Sequence, residues 1–114
     1  MTFEKIELDD TQPRKMIHKH QILSLQEYSI YKNVYPCFVF NFRSEDIGIE
    51  RTYMQYIGDF MKMYHGLNKS SFNEIDFLKF SSNRFPTFFI SHRLLSSLFC
   101  ILQHESKLYL TYFP

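Results

Sequence analysis

Tryptophan is absent from the chain, and glycine, proline and cysteine are scarce, with 3, 4 and 2 residues among 114. So little glycine and proline argues against long linkers and low-complexity tracts. No apolar run approaches the length that crosses a membrane, and the N-terminus lacks the charged-then-apolar pattern of a secretory signal. We therefore expect one small folded domain, residues 1–114, located in the cytoplasm.

Several catalytic patterns are also missing. The chain has no glycine-rich phosphate loop, no G-x-S-x-G elbow and no Cys/His nucleophile arrangement. The 5 histidines show no zinc-ligand spacing, and His18 and His20, two apart on a helix, are expected to point in different directions. Cys37 and Cys100 lie in separate apolar runs, which predicts buried free thiols and a reducing compartment.

Aromatic residues are abundant instead. There are 13 phenylalanines and 8 tyrosines, which bring aromatics to 18% and hydrophobic residues to 45% of the chain. This composition is typical of a folded chain with a modest core. The net charge of +1 neither requires nor excludes a polyanionic partner, so the distribution of charge is more informative. Cations cluster near residues 14–19, and most acids lie elsewhere.

The hydrophobic pattern predicts an α/β or α+β fold with a small mixed sheet flanked by helices. Predicted strands are Thr2–Leu8, a buried run at Cys37–Phe40, Ile49–Ile57, an edge strand at Thr87–Ile90, and Lys107–Pro114. One predicted helix starts at Pro13 and ends near Ser29 or Lys32. A second runs from Asp59 to about His65, and a third follows the capping box Ser71-x-x-Glu74. Ser44–Gly48 is the predicted turn, and His92–Gln103 fits a helix or a strand.

Gln21 is the first candidate site residue. It shares a helical stripe with Ile17, Leu25 and Tyr28, so it is expected to face inward, where its amide needs hydrogen-bond partners. One alternative is that Gln21 bonds to main-chain groups in the core.

The other alternative is a metal site shared with Glu4. A strand that carries Glu4, followed at once by the helix of Gln21, would bring a carboxylate and an amide to one end of the sheet. Such oxygens hold Mg²⁺ and its bound water in phosphodiester hydrolysis, and Lys5 would stabilise charge on the scissile phosphate. Solvated strand positions are the competing interpretation of Glu4 and Lys5.

Lys15 and Lys19 are the first candidate nucleic-acid contacts. They lie four apart, so on one helix they would share a face, with Arg14 and His18 beside them. A patch near a helix start suits phosphate oxygens, because the free N–H groups and the helix dipole also favour anions. An ordinary solvated face is the alternative.

Two further cations are candidates for backbone phosphates. Arg43 ends the buried strand, and Lys69 follows a helix stop. For each of them a solvated end of an element is the competing interpretation.

Six short strings occur in an informative order. They are "FE" from Phe3, "IHKHQ" from Ile17, "FVFNFR" from Phe38, "RTY" from Arg51, "DF" from Asp59 and "NKSSFNEIDF" from Asn68. This succession resembles the C-terminal part of the RecU-like, phage-type Holliday junction resolvases of the PD-(D/E)xK nuclease superfamily. Residues 1–80 are the best-matching region, and residues 81–114 form a divergent tail. The resemblance implies a partial restriction-endonuclease-like fold, a homodimer and magnesium-dependent cleavage of branched DNA.

The resemblance also assigns roles to residues. In the family a strand supplies a Glu-x-Lys motif and the next helix a His-Gln pair, so Glu4 would be a metal ligand, with Lys5 and Gln21 in the same catalytic site. Here Glu4 and Lys5 are adjacent, and neighbouring strand residues point to opposite faces unless a bulge intervenes. The family's upstream strands and catalytic aspartate have no counterpart, and Asp9 or Asp10 is the nearest substitute.

Three functions are consistent with these observations. The first is a resolvase-like nuclease that needs Mg²⁺, and the second is a non-catalytic fragment that binds branched DNA. The third is a small protein-interaction domain with an aromatic surface. Salt-sensitive binding to a four-way junction separates the first two from the third, and cleavage separates the first from the second.

Overall fold

The computed structural model describes Leu8, residues 10–85 and residues 98–114. This part of the chain is a mixed α+β fold, which confirms the predicted class. The strands are β1 (Thr11–Pro13), β2 (Val34–Ser44), β3 (Ile49–Tyr56), β4 (Ser71–Asn73), β5 (Asn83–Arg84), β6 (Leu98–His104) and β7 (Lys107–Phe113). The helices are α1 (Lys19–Tyr28), α2 (Ile57–Gly66) and α3 (Glu74–Lys79).

The main sheet has the strand order β5-β3-β2-β7-β6. Strand β2 pairs antiparallel with β3 and parallel with β7, so the sheet is mixed. Strands β1 and β4 form a separate two-stranded sheet. Strands β5, β6 and β7, which lie outside the best-matching region, therefore belong to the same sheet as the central strand β2.

The core is a layer of phenylalanines between the main sheet and the helices. Phe38 and Phe40 of β2 point to the helical side and meet Phe60 of α2 and Phe77 of α3, with ring centroids 4.6 Å (Phe38–Phe60) and 4.7 Å (Phe40–Phe77) apart. All four side chains are buried. Burying each contributes roughly 2–3 kcal/mol relative to exposure, so this layer holds the helices in register on the sheet.

Several predicted elements are confirmed. The continuous apolar run forms β2, alternation forms β3 and β7, and the pattern from Asp59 lies inside α2. The predicted turn joins β2 to β3, and Gly48 there has a positive φ of 66°, a conformation that glycine adopts without steric cost. The segment that fitted a helix or a strand, His92–Gln103, includes all of β6 except its last residue, His104. Residues 2–7 and 87–90, where two strands were predicted, lie outside the described residues.

The predicted helix start at Pro13 is wrong. Pro13 ends β1, and a 3₁₀ turn over Arg14–Met16 follows. Ile17 and His18 then have extended backbones, and α1 begins at Lys19. The physical reason is the pairing of β1 with β4, which holds this segment extended and has no signal in the local pattern.

The predicted capping box at Ser71 is wrong by two residues. Ser71 lies in β4, opposite Pro13. Asn73 caps α3 instead, since its side-chain oxygen accepts from the Asp76 N–H at 2.9 Å and the Asp76 carboxylate accepts from the Asn73 N–H at 2.9 Å. Glu74 is thereby freed for a different, buried interaction.

Both cysteines are free thiols, as predicted, although only Cys37 is buried. Burial, with a smaller contribution from the negative charge of Asp59, raises the pKa of Cys37 to about 12. Burial also raises the pKa of Cys100. Thiols that stay protonated near neutral pH are poor nucleophiles. Over the described residues, no helix combines the length and the apolar character needed to cross a membrane.

Candidate nucleic-acid interface

Gln21 is buried, as its helical stripe predicted, with 3% of its surface exposed. It is the third residue of α1, and its side-chain oxygen accepts a hydrogen bond from the backbone N–H of His18 at 3.1 Å. This bond satisfies one of the donors that a helix start leaves unpaired. The amide oxygen of Gln21 therefore bonds to a main-chain group, as one of the two interpretations of its inward position expects.

The proposed partners of Gln21 in a metal site, Glu4 and Lys5, lie outside the described residues. Within residues 10–85 and 98–114 and at Leu8, no group of three or more His, Cys, Asp or Glu side chains is placed to hold a metal ion. The magnesium site and its catalytic residues thus stay predictions from the sequence.

Arg14 makes contacts that hold the fold together. Its guanidinium donates three hydrogen bonds to carbonyl oxygens, to Lys69 at 2.8 Å, Tyr64 at 2.9 Å and Leu67 at 2.6 Å. It also lies over the rings of Tyr64 and Phe72, 4.2 Å and 4.8 Å from their centroids. Arginine provides this planar fork and stacking surface, and lysine does not. Arg14 therefore joins the 3₁₀ turn to the end of α2 and to the chain beyond it.

Lys15 and Lys19 are exposed, but they do not share one helical face as predicted. The extended backbones of Ile17 and His18 separate the 3₁₀ turn from α1, so the spacing of four has no helical meaning here. Neither lysine has an ion-pair partner among the described residues. Two full charges are thus available to solvent or to a ligand close to the start of α1.

His18 and His20 are exposed beside these lysines. Their rings are stacked, with centroids 5.6 Å apart and planes inclined by 14°. The expectation that they point in different directions is wrong, because His18 precedes the helix and has an extended backbone. The first turn of α1 contains no acidic residue, and Lys19 and His20 occupy its first two positions.

Arg43 and Lys69 both contact the segment Asp10–His20, each through a backbone atom. The backbone N–H of Arg43 donates to the Asp10 carboxylate at 2.9 Å, and the carbonyl of Lys69 accepts from Arg14. The Arg43 side chain is exposed and has no ion pair among the described residues, whereas Lys69 is paired with Asp76. We use the name cationic strip for Lys15, Lys19 and Arg43 together with His18 and His20.

A buried charged network is absent from the predictions made on the sequence. Arg51, on the inward face of β3, donates from Nη2 to Glu74 at 2.7 Å and from Nε to the other carboxylate oxygen. The Tyr53 hydroxyl donates to the same carboxylate. All three side chains are buried. The available signal was Arg51 on the same strand face as Tyr53, because a buried arginine needs an acidic partner.

The network shifts the pKa values of its members in the expected directions. The hydrogen bond with Glu74 raises the pKa of Arg51 further, against the opposing effect of burial. Burial, together with the hydrogen bond to Glu74, raises the pKa of Tyr53 to about 12. At neutral pH the network therefore holds one cation, one anion and a neutral phenol, with each charge compensated.

Comparison of the chain with protein-family models, curated proteins and solved structures finds no match. The resemblance to RecU-like resolvases accordingly stays a prediction based on the sequence strings.

Proposed function

We propose that this protein binds DNA through the cationic strip, and that branched DNA is its preferred ligand. The observation that carries the proposal is the start of α1. Lys19 and His20 occupy its first turn, Lys15 lies just before it, and no acid balances them there. The choice of branched DNA comes from the sequence resemblance.

This arrangement is unfavourable for the helix itself. The N-terminus of a helix carries a partial positive charge, and a cation in the first turn costs roughly 0.3–1 kcal/mol. Local stability would favour Asp or Glu at these positions. A set of residues that opposes local stability is expected at a functional site, and an anionic ligand removes the conflict.

The spread of the charges favours a long polyanion over a small anion. Arg43 is the last residue but one of β2, and Lys15 and Lys19 flank the start of α1. The segment Asp10–His20 connects the two places. Separate lysines and arginines along a surface match successive backbone phosphates. Lys69 extends the surface beside Arg14, although Asp76 compensates its charge.

Magnesium-dependent cleavage through Glu4, Lys5 and Gln21 is a further part of the proposal that rests on the resemblance alone. A homodimer belongs to the proposal on the same basis. A cytoplasmic location is a separate part of it, which rests on the free thiols and on the sequence lacking a secretory signal pattern.

Binding of the full chain to a fluorescently labelled four-way junction tests the proposal. We expect the reversal Lys15→Glu with Lys19→Glu to weaken binding at least tenfold at about 0.1 M salt, because two phosphate contacts become repulsive. The matched control is Lys62→Glu with Lys79→Glu, which changes the net charge equally on two exposed lysines of α2 and α3. Equal loss in both variants, or no binding by the wild type, would refute the proposal.

The same samples test cleavage. With Mg²⁺ added, cut junction from the wild type and none from Glu4→Ala would support the catalytic part. Absence of cleavage in the wild type, with binding retained, would leave a non-catalytic DNA-binding protein.

A further inference from the structure

Two adjoining clefts lie at the other end of α1. The first, of about 440 Å³, lies on the sheet face opposite the helices and is lined by four tyrosines, Tyr31, Tyr35, Tyr56 and Tyr109. The second, of about 430 Å³, is lined by Tyr28, Tyr31, Lys32 and three aliphatic residues. Tyr31 and Val34 line both clefts, so the clefts adjoin at these two residues. The second cleft lies on the helical side of the sheet, because Leu110, which lines it, belongs to the core. We call the combined lining of the two clefts the tyrosine surface.

Flat aromatic faces are accessible on this surface. Tyr31 is 57% exposed and Tyr28 41%, and their ring centroids are 6.2 Å apart. Tyr35 stacks on Tyr109, with centroids 5.5 Å apart and planes inclined by 28°. Each tyrosine supplies an apolar ring and a hydroxyl group, so the surface suits planar ligands that also form hydrogen bonds.

Polar groups in the first cleft add to this match. Ser29, Asn33 and Asn83 line it beside the tyrosines. Asn and Ser side chains both donate and accept hydrogen bonds, as the edges of nucleobases do. No acidic or basic side chain is among the described residues that line this cleft.

Positive charge lies at the margins. Lys32 lines the second cleft, and the ammonium group of Lys107 lies 5.6 Å from the centroid of the Tyr35 ring. Among the described residues that line either cleft, none is Asp or Glu. Aromatic faces bordered by lysines are complementary to a ligand with planar bases and phosphates, and they are less suited to an uncharged protein surface.

We propose that the tyrosine surface binds unpaired nucleotides of single-stranded DNA. Bases stack on Tyr31 and on neighbouring tyrosines, and phosphates approach Lys32 and Lys107. This inference extends the proposed DNA binding to a second place, about 15 Å from the cationic strip, since α1 has 10 residues at 1.5 Å each.

Binding to a labelled oligothymidylate of about 12 nucleotides tests this surface. We expect Tyr31→Ala to weaken binding about tenfold, because a base can no longer stack on the Tyr31 ring, and Tyr31→Phe to retain wild-type affinity within about twofold. Leu78→Ala is the control, because Leu78 is 56% exposed and lies outside both clefts. As a second variant, Lys107→Gln should lower both the affinity and its dependence on salt.

Tyrosine fluorescence gives an independent readout, because the chain has no tryptophan. Stacked bases should quench part of the emission of the wild type, and Tyr31→Ala should lose part of that quenching. Equal oligothymidylate affinity in Tyr31→Ala and wild type would overturn the inference. So would a dimer, detected by sedimentation, that Tyr31→Ala dissociates without any change in DNA binding.

The two proposals fail separately. The variant with Lys15→Glu and Lys19→Glu is measured on a junction with fully paired arms, and the variant Tyr31→Ala is measured on an unpaired strand. Loss of oligothymidylate binding in Tyr31→Ala, together with no effect of the two lysine reversals on the junction, would refute the cationic strip and support the tyrosine surface. The opposite pair of results would refute the tyrosine surface alone.

Discussion

Arg14 and Lys15 are neighbours in the chain, yet their surroundings differ completely. Three carbonyl oxygens and two aromatic rings surround the guanidinium of Arg14. Lys15 is exposed and has no ion pair among the described residues. The first cation is bound by the protein's own main chain, and the second is available to a partner.

Arg51 and Lys19 repeat this contrast on a larger scale. Arg51 is buried against Glu74 and Tyr53, whereas Lys19 is exposed at a helix start that repels it. Arg14 and Arg51 have acceptors within the protein, whereas Lys15 and Lys19 have no ion-pair partner among the described residues. The count of charges in the sequence does not separate the two kinds, whereas measurements of stability and of DNA binding on the same variants do.

The largest effect on stability is expected from Glu74→Gln. The change leaves the charge of Arg51 buried without its anion, and such a loss costs about 3–5 kcal/mol. Urea denaturation measures it, with Glu50→Gln on the exposed face of β3 as a control expected within about 0.5 kcal/mol of the wild type. Similar stabilities for the two variants would mean that the network does not hold the fold.

Lowering the pH should weaken the contribution of the same network to the free energy of unfolding. Burial by itself raises the pKa of the Glu74 carboxyl, but hydrogen bonds from Arg51 and Tyr53 and the charge of Arg51 outweigh it and lower the pKa below 4.5. The folded chain then binds this proton more weakly than the unfolded chain, so the contribution is complete above about pH 4.5 and is lost as the pH falls through the folded pKa. Below pH 4.5, wild type should lose more stability than Glu74→Gln; parallel curves would contradict this.

Arg14→Lys should separate charge from hydrogen bonding. Lysine keeps the charge but not the three-way fork or the stacking, so we expect a loss of about 1–3 kcal/mol in the free energy of unfolding. Junction affinity should stay within about twofold, since the net charge is unchanged. Lys15→Arg is the matched control and should change neither quantity. An Arg14→Lys variant with wild-type stability but weaker DNA binding would show that Arg14 contacts DNA and does not stabilise the fold.

The smallest effect on stability is expected from Lys19→Glu, and it has the opposite sign. An acid in the first turn of α1 should stabilise the protein by about 0.3–1 kcal/mol while it weakens junction binding. Glu27→Lys, near the other end of the same helix, should also stabilise the helix but leave binding undiminished. Destabilisation by Lys19→Glu would show that Lys19 has a structural role.

The elements that the sequence predicted are those whose signal is local. A continuous apolar run is enough for β2 and alternation for β3 and β7, and the pattern from Asp59 to about His65 predicted most of α2. Ile57, predicted as the last residue of a strand, begins α2 instead. Each pattern reports directly which side chains the element buries.

The failures all depend on contacts between distant residues. The pairing of β1 with β4 moved the helix start from Pro13 to Lys19 and the cap from Ser71 to Asn73. Glu74 looked like a capping acid, although it is the buried partner of Arg51. Such pairings have no local periodicity, and the same limit applies to the candidate site, where residue types alone did not separate Arg14 from Lys15.

The salt dependence of junction binding tests the cationic strip most directly. The logarithm of affinity should fall linearly with the logarithm of salt concentration, and Lys15→Gln with Lys19→Gln should reduce the steepness of that line by about 2, one for each phosphate that is no longer neutralised. The neutral replacements avoid new repulsion. A double variant whose line keeps the wild-type steepness would contradict the account, because neither lysine would then neutralise a phosphate.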